Sequence, residues 1–206
     1  MKTKLFASLL MLGFSLTVAN CVSIDDNKVA SPAPQKVNPK LAKLKQKARE
    51  ARAYVSKNGM NQDWCILIDY SYDLNTKRFF IYDLKNDRLE ESALVSHGYG
   101  GNSTDSYVEF SNVPGSNCSS EGKFRLGIRS YSNWGVHFHY KMHGLESTNS
   151  NAYKRYIVLH SYEYAYCDSP TTASQGCPIV CDDMMNYIDT KVKRSSNKDI
   201  LLWIYK

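Results

Sequence analysis

The chain has 206 residues, of which 43% are hydrophobic and 12% aromatic, and this composition suits one globular domain with a substantial core. It excludes a chain that is disordered throughout. The formal net charge is +6, but nine basic residues and one acidic residue fall in residues 28–57, whereas residues 1–27 are balanced. Residues 58–206 therefore carry a net charge of −2, and the positive excess belongs to an N-terminal arm.

The first 20 residues have the pattern of a secretory signal peptide. Two lysines precede an apolar stretch, residues 5–18, which is too short for a comfortable membrane span, and small residues before Asn20 form a cleavage pattern. We therefore expect export to the periplasm or cell envelope. Residues 18–21 also resemble a lipobox, in which Cys21 would become a lipidated first residue. Simple secretion and lipid anchoring both stay open, and no other membrane contact is expected.

Residues 21–38 are expected to be a flexible tether, because they contain two prolines among small polar residues. Asn38 and Pro39 then supply the N-cap and the first residue of an amphipathic helix over residues 39–57. The helix is strongly basic but has one aromatic residue, so we interpret its charge as a solvated face and expect no nucleic-acid partner. The main domain is predicted to span residues 39–206, with this helix at its start.

Short apolar runs separated by turn residues follow the helix and predict a mainly β domain. The predicted strands are Trp64–Tyr70, Arg78–Leu84, Ser92–His97, Phe124–Ser130, Val136–Met142, Arg155–His160 and Ile200–Tyr205. One later segment, Asp182–Lys193, has helical periodicity and begins with a residue suited to an N-cap. Seven short strands and one late helix favour a β-sandwich or a barrel-like sheet over an alternating α/β fold.

Four histidines are weaker candidates for a functional site. His137 and His139 lie two residues apart on a predicted strand and therefore point to the same face, as two metal ligands would. The third ligand would be His143, which falls as the strand ends, and no acidic ligand accompanies it. We therefore interpret these residues as solvated or core-edge histidines and expect no metal. His97, beside a glycine-rich turn, is either structural or part of a cleft.

The strongest candidates for chemistry are His160 and Cys177. A histidine is the side chain whose pKa suits it to accept a thiol proton near neutrality. Here a predicted strand ends in the histidine, and a polar loop leads to the turn Ser174-Gln175-Gly176-Cys177. The glycine permits close approach of the backbone, so that the N–H groups of Gly176 and Cys177 would face a tetrahedral oxyanion. A buried structural cysteine is the alternative interpretation.

These residues resemble the signature of the murein L,D-transpeptidases, the YkuD-like family, in which a histidine precedes the cysteine of an [S/T]-x-G-C turn. Twelve residues separate His160-Ser161 from Ser174 here. The most specific further similarity is F-S-N-V-P-G-S-N-C-S-S-E-G-K-F at residues 110–124, and the resemblance covers roughly residues 40–206. It implies an L,D-transpeptidase-like β-sandwich or barrel.

The resemblance also implies a cysteine-dependent transpeptidase that acts on peptidoglycan stem peptides without a metal or organic cofactor. Cys177 would attack the carbonyl at the L-centre of diaminopimelate in a tetrapeptide, expel D-alanine and form a thioester, which an amine would then capture. His160 would be the base, oriented by the carbonyl of Ser161. A second stem peptide as acceptor gives cross-linking, a lysine of an envelope protein gives anchoring, and water gives an L,D-carboxypeptidase.

The resemblance is not complete, because many family members have histidine where this chain has Gln175, and glycine where it has Ser161. Only the backbone of these positions is implicated, so the chemistry is expected to tolerate both differences. The side chains expected to line the donor cleft are Tyr131, Tyr162, Ser119, Ser120 and His97. A papain-like hydrolase would carry its histidine after the cysteine, and a non-catalytic cell-wall-binding β domain would need neither residue.

The six cysteines leave their pairing open. With Cys177 as nucleophile and Cys21 lipidated, an even number remains, as suits an oxidising compartment. These are Cys65, Cys118, Cys167 and Cys181. They allow three pairings, or they are unpaired core thiols. Because Cys167 lies in the loop between the candidate base and the candidate nucleophile, we hypothesise that it pairs with Cys118 or Cys181 and restrains that loop.

Overall fold

The computed structural model describes residues 38–169 and 174–206. The predicted signal peptide, Cys21 and residues 21–37 of the predicted tether lie outside the described residues. The helices and strands, in chain order, are α1 (Pro39–Lys57), β1 (Trp64–Asp69), β2 (Phe79–Asp83), β3 (Arg88–Ala93), β4 (Gly122–Tyr131), β5 (Phe138–Gly144), β6 (Val158–Ser161), β7 (Ile179–Val180), α2 (Asp182–Arg194) and β8 (Leu201–Tyr205). In the described ranges, neither helix combines the length and apolar character that crossing a membrane requires.

The strands form one eight-stranded sheet in the order β3-β2-β1-β8-β4-β5-β6-β7. The pairs β1/β8 and β6/β7 are parallel, and the other pairs are antiparallel. Beyond β3 the chain returns to the opposite edge, where the N–H of Ser96 donates to the carbonyl of Ile179 at 3.0 Å and Gly98 pairs with Ser174. The sheet is therefore nearly closed, and the prediction of a mainly β, barrel-like fold with one early and one late helix is confirmed.

Helix α1 covers one face of the sheet and begins where the sequence predicts. The side chain of Asn38 accepts a hydrogen bond from the N–H of Lys40, and Pro39 occupies the first turn. The apolar stripe that includes Leu44 and Val55 is buried against β1, β2 and β8. Its lysines are not simply solvated, because the Nζ of Lys47 lies 4.4 Å from the ring centroid of Trp203. The helix is thus fastened to the sheet on both its apolar and its basic sides.

The other face of the sheet holds the larger core, into which α2 packs Met185 and Ile188. Leu159 of β6 is fully buried in this core. Burial of Leu159 therefore fixes the strand from which the next residue, His160, projects. Because both neighbours of β6 are hydrogen-bonded strands, the backbone at His160 is rigid.

The predicted strands differ most from the structure at two misplaced strands and one strand that was not predicted. The third strand occupies Arg88–Ala93 rather than Ser92–His97, because it pairs with β2 immediately after the tight turn that joins them. The segment expected from Arg155 becomes a strand only at Val158, since Tyr156 has a φ of 54° and breaks the extended conformation. Strand β7 was not predicted, because two residues are too few for a periodicity signal.

One disulfide joins Cys167 to Cys181, with a Cα–Cα distance of 5.1 Å. Of the two partners proposed for Cys167, the structure selects Cys181, which is the N-cap residue of α2. The bond therefore ties the loop that follows β6 to the start of the helix that follows β7. Cys65 and Cys118 are buried and unpaired.

Candidate active site

His160 and Cys177 lie in the same cleft, which has a volume of about 710 Å³ and opens on β5 and β6. His160 comes from the end of β6, and Cys177 comes from the turn that leads into β7. The parallel pairing of these strands places His160 opposite Ile179, and the N–H of His160 points to the carbonyl of Pro178, at 3.4 Å. Adjacent strands thus bring together two residues that the sequence separates by a loop.

The sulfur of Cys177 is held between two backbone groups. The N–H of Val158 donates to Sγ at 3.4 Å, and the thiol donates to the carbonyl of Tyr156 at 3.6 Å. Tyr156 adopts the left-handed conformation, with a φ of 54°, which costs a non-glycine residue about 1 kcal/mol or more. The left-handed conformation places the carbonyl of Tyr156 where the thiol of Cys177 can donate to it.

The imidazole of His160 is buried, and a backbone carbonyl sets its orientation. Its Nδ1–H donates to the carbonyl of Ser161 at 2.8 Å, the contact that the sequence analysis expected. This bond leaves Nε2 as the atom that can accept a proton. The hydroxyl of Ser161 accepts a hydrogen bond from the N–H of Val136 at 3.0 Å, which holds the segment that presents this carbonyl.

The turn before Cys177 differs from expectation in one respect. The hydroxyl of Ser174 accepts a hydrogen bond from the N–H of Gly176 at 3.1 Å and donates to the carbonyl of Cys177 at 2.6 Å. The N–H of Gly176 is therefore engaged and does not face the cleft as an oxyanion donor. The N–H of Cys177 has no acceptor within the described ranges, and it is the group available for that task. Gln175 is exposed.

Gly176 cannot be replaced without moving this turn. Its φ is 114°, and a Cβ there would lie 2.7 Å from the carbonyl oxygen of Cys118. We expect Gly176→Ala to reduce the rate at which Cys177 reacts with a β-lactam by about 100-fold, since a displacement near 1 Å has effects of that size. The measurement is the rate of adduct formation by mass spectrometry. Gly59→Ala is the matched control, because Gly59 also has a positive φ, of 65°, but nothing within 4 Å of a Cβ; equal rates for both variants would contradict the prediction.

Arg155 is a structural residue of the site that no sequence pattern indicated. One guanidinium nitrogen donates at 2.6 Å to the carbonyl of Ser111 and at 2.6 Å to the hydroxyl of Ser120. The other donates at 2.7 Å to the carbonyl of Cys118. The arginine thus fastens the loop over residues 110–120 behind the turn of Cys177. Its assignment to a predicted strand concealed this role, because partners more than 30 residues away leave no periodic signal.

Burial sets the protonation states of the two candidate catalytic groups. It raises the pKa of the Cys177 thiol to about 11, against the opposing effects of the Val158 N–H and the charge of Arg155. Burial also lowers the pKa of His160 from its usual value, although the hydrogen bond to Ser161 favours the charged form. Both shifts favour neutral forms, so the resting site holds a neutral thiol beside a neutral imidazole.

The residues expected to line the cleft fall into two groups. Tyr131 lines it and is 73% exposed. Tyr162 does not line it, but packs edge-on against Trp134, which does, at 5.5 Å between centroids. Ser119 and Ser120 are buried and do not line the cleft. The structure places these serines in the supporting loop, where Ser120 accepts from Arg155, rather than in contact with the cleft.

His97 is structural rather than a lining residue. It is buried, and its Nδ1 accepts a hydrogen bond at 2.7 Å from the guanidinium of Arg78, which is fully buried. Burial, followed by the charge of Arg78, lowers the pKa of His97 to about 4. A neutral histidine is required here, since only the neutral ring can accept from an arginine. Of the two interpretations of His97, the structure supports the structural one.

The three histidines near β5 do not gather around a common point. His137 precedes the strand and stacks on Tyr131, with centroids 6.5 Å apart, His139 lines the cleft, and His143 stacks on Tyr153 at 4.9 Å. Across residues 38–169 and 174–206, no group of three or more His, Cys, Asp or Glu side chains is arranged to hold a metal ion.

A family model described as the L,D-transpeptidase catalytic domain matches residues 35–205. A search of curated proteins found no match. Among solved structures, the chain is similar to Bd1075 of Bdellovibrio bacteriovorus, with 14% identity, a TM-score of 0.46, and coverage of 70% of this chain and 48% of that one. It is similar to a mutant of the helical cell shape determining protein Pgp2 from Campylobacter jejuni, with 9% identity, a TM-score of 0.48, and coverage of 71% and 48%.

A third similar structure is an L,D-transpeptidase segment from Xylanimonas cellulosilytica, with 14% identity, a TM-score of 0.38, and coverage of 70% of this chain and 61% of that one. The matched region spans about half of each of the first two proteins.

Proposed function

Because the chain belongs to the family of L,D-transpeptidase catalytic domains, we propose that it is a cysteine-dependent L,D-transpeptidase of peptidoglycan stem peptides that works through a thioester. The observation that carries this proposal is the placement of Cys177 and His160 in one cleft, with the imidazole oriented by the carbonyl of Ser161. We also propose that the protein acts in the cell envelope, on the ground of its signal-like first 20 residues.

In the first half-reaction, Nε2 of His160 accepts the thiol proton as Sγ of Cys177 attacks the carbonyl carbon of the L-centre. The N–H of Val158 donates to the sulfur and stabilises the developing thiolate. The tetrahedral oxyanion accepts from the N–H of Cys177. When the intermediate collapses, the bond to the leaving amine breaks, the imidazolium returns its proton to that amine, and D-alanine departs.

In the second half-reaction, an acceptor amine attacks the thioester and loses a proton to His160. Collapse breaks the carbon–sulfur bond, forms the new amide and returns the proton to the thiolate of Cys177. The resting neutral pair is restored. Water in place of the amine gives the L,D-carboxypeptidase reaction at the same residues, and a lysine of an envelope protein gives anchoring.

The neutral resting pair explains why a base is needed. Because the pKa of Cys177 is about 11, few thiols ionise spontaneously near neutrality, and the neutral imidazole must remove the proton during attack. Because the pKa of His160 is lowered, the imidazole stays neutral at and somewhat below the pH at which a free histidine would become protonated. Activity therefore extends to mildly acidic pH.

The direct test is incubation of the purified protein with a tetrapeptide stem, with and without an added stem peptide as acceptor. Release of D-alanine together with a new cross-linked product supports the proposal. If D-alanine is released but no cross-linked product forms in the presence of acceptor, the protein is an L,D-carboxypeptidase rather than a transpeptidase. No release under either condition, in a folded protein, would reject it.

The pH dependence of the thiol gives an independent prediction. We expect the ultraviolet absorbance of a thiolate, measured as the difference between the parent protein and Cys177→Ala, to be absent at neutral pH and to rise with a midpoint at about pH 11. The sign follows from burial, which disfavours the charged thiolate. Tyrosinate absorbance cancels in the difference, since both proteins carry the same tyrosines. A midpoint at or below pH 8 would show a preformed ion pair and contradict the prediction.

A further inference from the structure

The cleft beside Cys177 has a local excess of positive charge. Lys141 and Lys154 line it, and no aspartate or glutamate does so among the described residues. Residues 58–206 as a whole carry a net charge of −2. The positive charge of the cleft therefore does not reflect the average of residues 58–206, and a cleft lined by one sign of charge attracts ligands of the opposite sign.

Lys141 lies directly across from the backbone that contacts the candidate nucleophile. In the antiparallel pairing of β5 with β6, it is opposite Val158, and His139 is opposite His160. Paired residues project to the same face of a sheet, so Lys141 shares its face with His160. The N–H of Val158 donates to the sulfur of Cys177. Lys141 thus lies on the strand next to the one whose backbone contacts the sulfur.

An aromatic ring, rather than a carboxylate, holds this lysine. The Nζ of Lys141 lies 5.1 Å from the centroid of Tyr153, which stacks in turn on His143 with an interplanar angle of 19°. The ion pairs formed by described residues include neither Lys141 nor Lys154. A cation–π contact at a partly exposed site is weaker than a charge-assisted hydrogen bond to an anion. The ammonium therefore has donors to offer a ligand.

The two histidines that flank Lys141 on β5, His139 and His143, are uncharged near neutral pH. Burial, followed by the charge of Lys141, lowers the pKa of His139. Burial and the charges of Arg125 and Lys141 lower the pKa of His143. Both rings are therefore neutral near neutral pH, and the positive charge of this wall comes from Lys141 and Lys154.

We propose that Lys141, assisted by Lys154, binds a free carboxylate of the peptide substrate next to the scissile carbonyl. The inference rests on the proposed function and deepens it. The ligand is a peptide with a carboxylate close to the bond that Cys177 attacks. A stem tetrapeptide has three free carboxylates, including the α-carboxylate of its γ-linked D-glutamate. The two nearest to the scissile carbonyl along the covalent chain are the terminal carboxylate of the leaving D-residue and the side-chain carboxylate of the diamino acid. Amidation of the bound group would convert a good substrate into a poor one.

The test measures binding without turnover. In a Cys177→Ala background, the affinity for the tetrapeptide L-Ala-γ-D-Glu-meso-diaminopimelate-D-Ala is measured by titration calorimetry. Adding Lys141→Met is expected to weaken binding about tenfold, the effect typical of losing one charge-assisted hydrogen bond. Lys141→Arg is expected to restore most of the affinity. The matched control is Lys85→Met, since Lys85 is exposed and does not line the cleft.

Two amidated peptides distinguish the sources of the carboxylate. One has a carboxamide at its C-terminus, and the other has a carboxamide on the side chain of the diamino acid. In Cys177→Ala, amidation of the bound carboxylate should weaken binding about tenfold relative to the unmodified tetrapeptide. Once Lys141→Met is added, the same amidation should have no effect. The amide that shows both results identifies the bound carboxylate. If all three peptides bind equally well to Cys177→Ala, or if Lys141→Met leaves their affinities unchanged, the inference is overturned.

Failure of this inference can be told apart from failure of the proposed function. If the parent releases D-alanine and Lys141→Met leaves KM unchanged, the inference fails and the function stands. If peptides bind in a Lys141-dependent way but the parent releases nothing, the function fails and carboxylate binding stands. Should Lys141→Met not fold, as judged by thermal melting, the affinity of Cys177→Ala is measured from about 20 to about 300 mM salt. An affinity that does not fall over this range overturns the inference.

Discussion

Replacing Cys177 with alanine is expected to abolish covalent capture of a carbapenem, which the parent protein should bind as one equivalent. The β-lactam carbonyl replaces the peptide carbonyl, and ring opening leaves an acyl group on the sulfur. The sulfur sits against the N–H of Val158, in the cleft that also holds His160. Without this atom no bond can form, so the expected effect is a complete loss of the adduct measured by intact mass.

The control for this experiment is Cys65→Ala. Like Cys177, Cys65 is unpaired, but it is fully buried beneath α1, and burial raises the pKa of its thiol. This variant should lose some stability because a small cavity replaces the sulfur, yet it should keep the adduct. An undiminished adduct on Cys177→Ala, or none on the folded parent protein, would rule out the cysteine mechanism.

Replacing His160 with glutamine is expected to slow acylation of Cys177 by about 10² to 10⁴, the usual contribution of a positioned general base. The reason is the neutral resting pair. With a thiol pKa of about 11, attack without a base depends on the small thiolate fraction present in solution. The measurement is the rate of D-alanine release or of carbapenem adduct formation under single-turnover conditions.

A second readout separates a base from a merely structural histidine. In His160→Gln the residual rate should rise steadily with pH towards the pKa of the thiol, whereas the parent rate should level off once the imidazole is neutral. His143→Gln provides the matched control, because His143 lies on the neighbouring strand and stacks on Tyr153. A rate in His160→Gln equal to that of the parent would exclude this residue as the base.

Much of the fold is readable from the chain because its signals are local. The bounds of α1 follow from Asn38, Pro39 and an apolar stripe, and the structure reproduces them. Helix α2 begins at the predicted residue, Asp182, although its N-cap is Cys181 rather than Asp182. The misplaced third strand and the unpredicted β7 show the limit, since their bounds depend on partners far away in sequence.

The candidate pair was also visible locally, because a buried strand ending in His160 and a glycine turn ending in Cys177 are both short-range patterns. The residues that surround the pair could not be predicted from the sequence. Ser119 and Ser120 look like polar lining residues in the sequence, yet they are buried and do not line the cleft. His97 looks like a cleft histidine, yet it is a neutral acceptor for a buried arginine.

The sequence by itself determined the mainly β architecture with its two helices, the resemblance to a transpeptidase family, and the residues on which the chemistry is proposed. These follow from periodicity, caps and a spaced motif, each confined to a few neighbouring residues. Only the tertiary structure decided that Cys181 is the disulfide partner, that Arg155 supports the turn, and that Lys141 stands beside the cleft. These depend on which strands become neighbours and on how much water each group loses, and both are properties of the folded chain rather than of any segment.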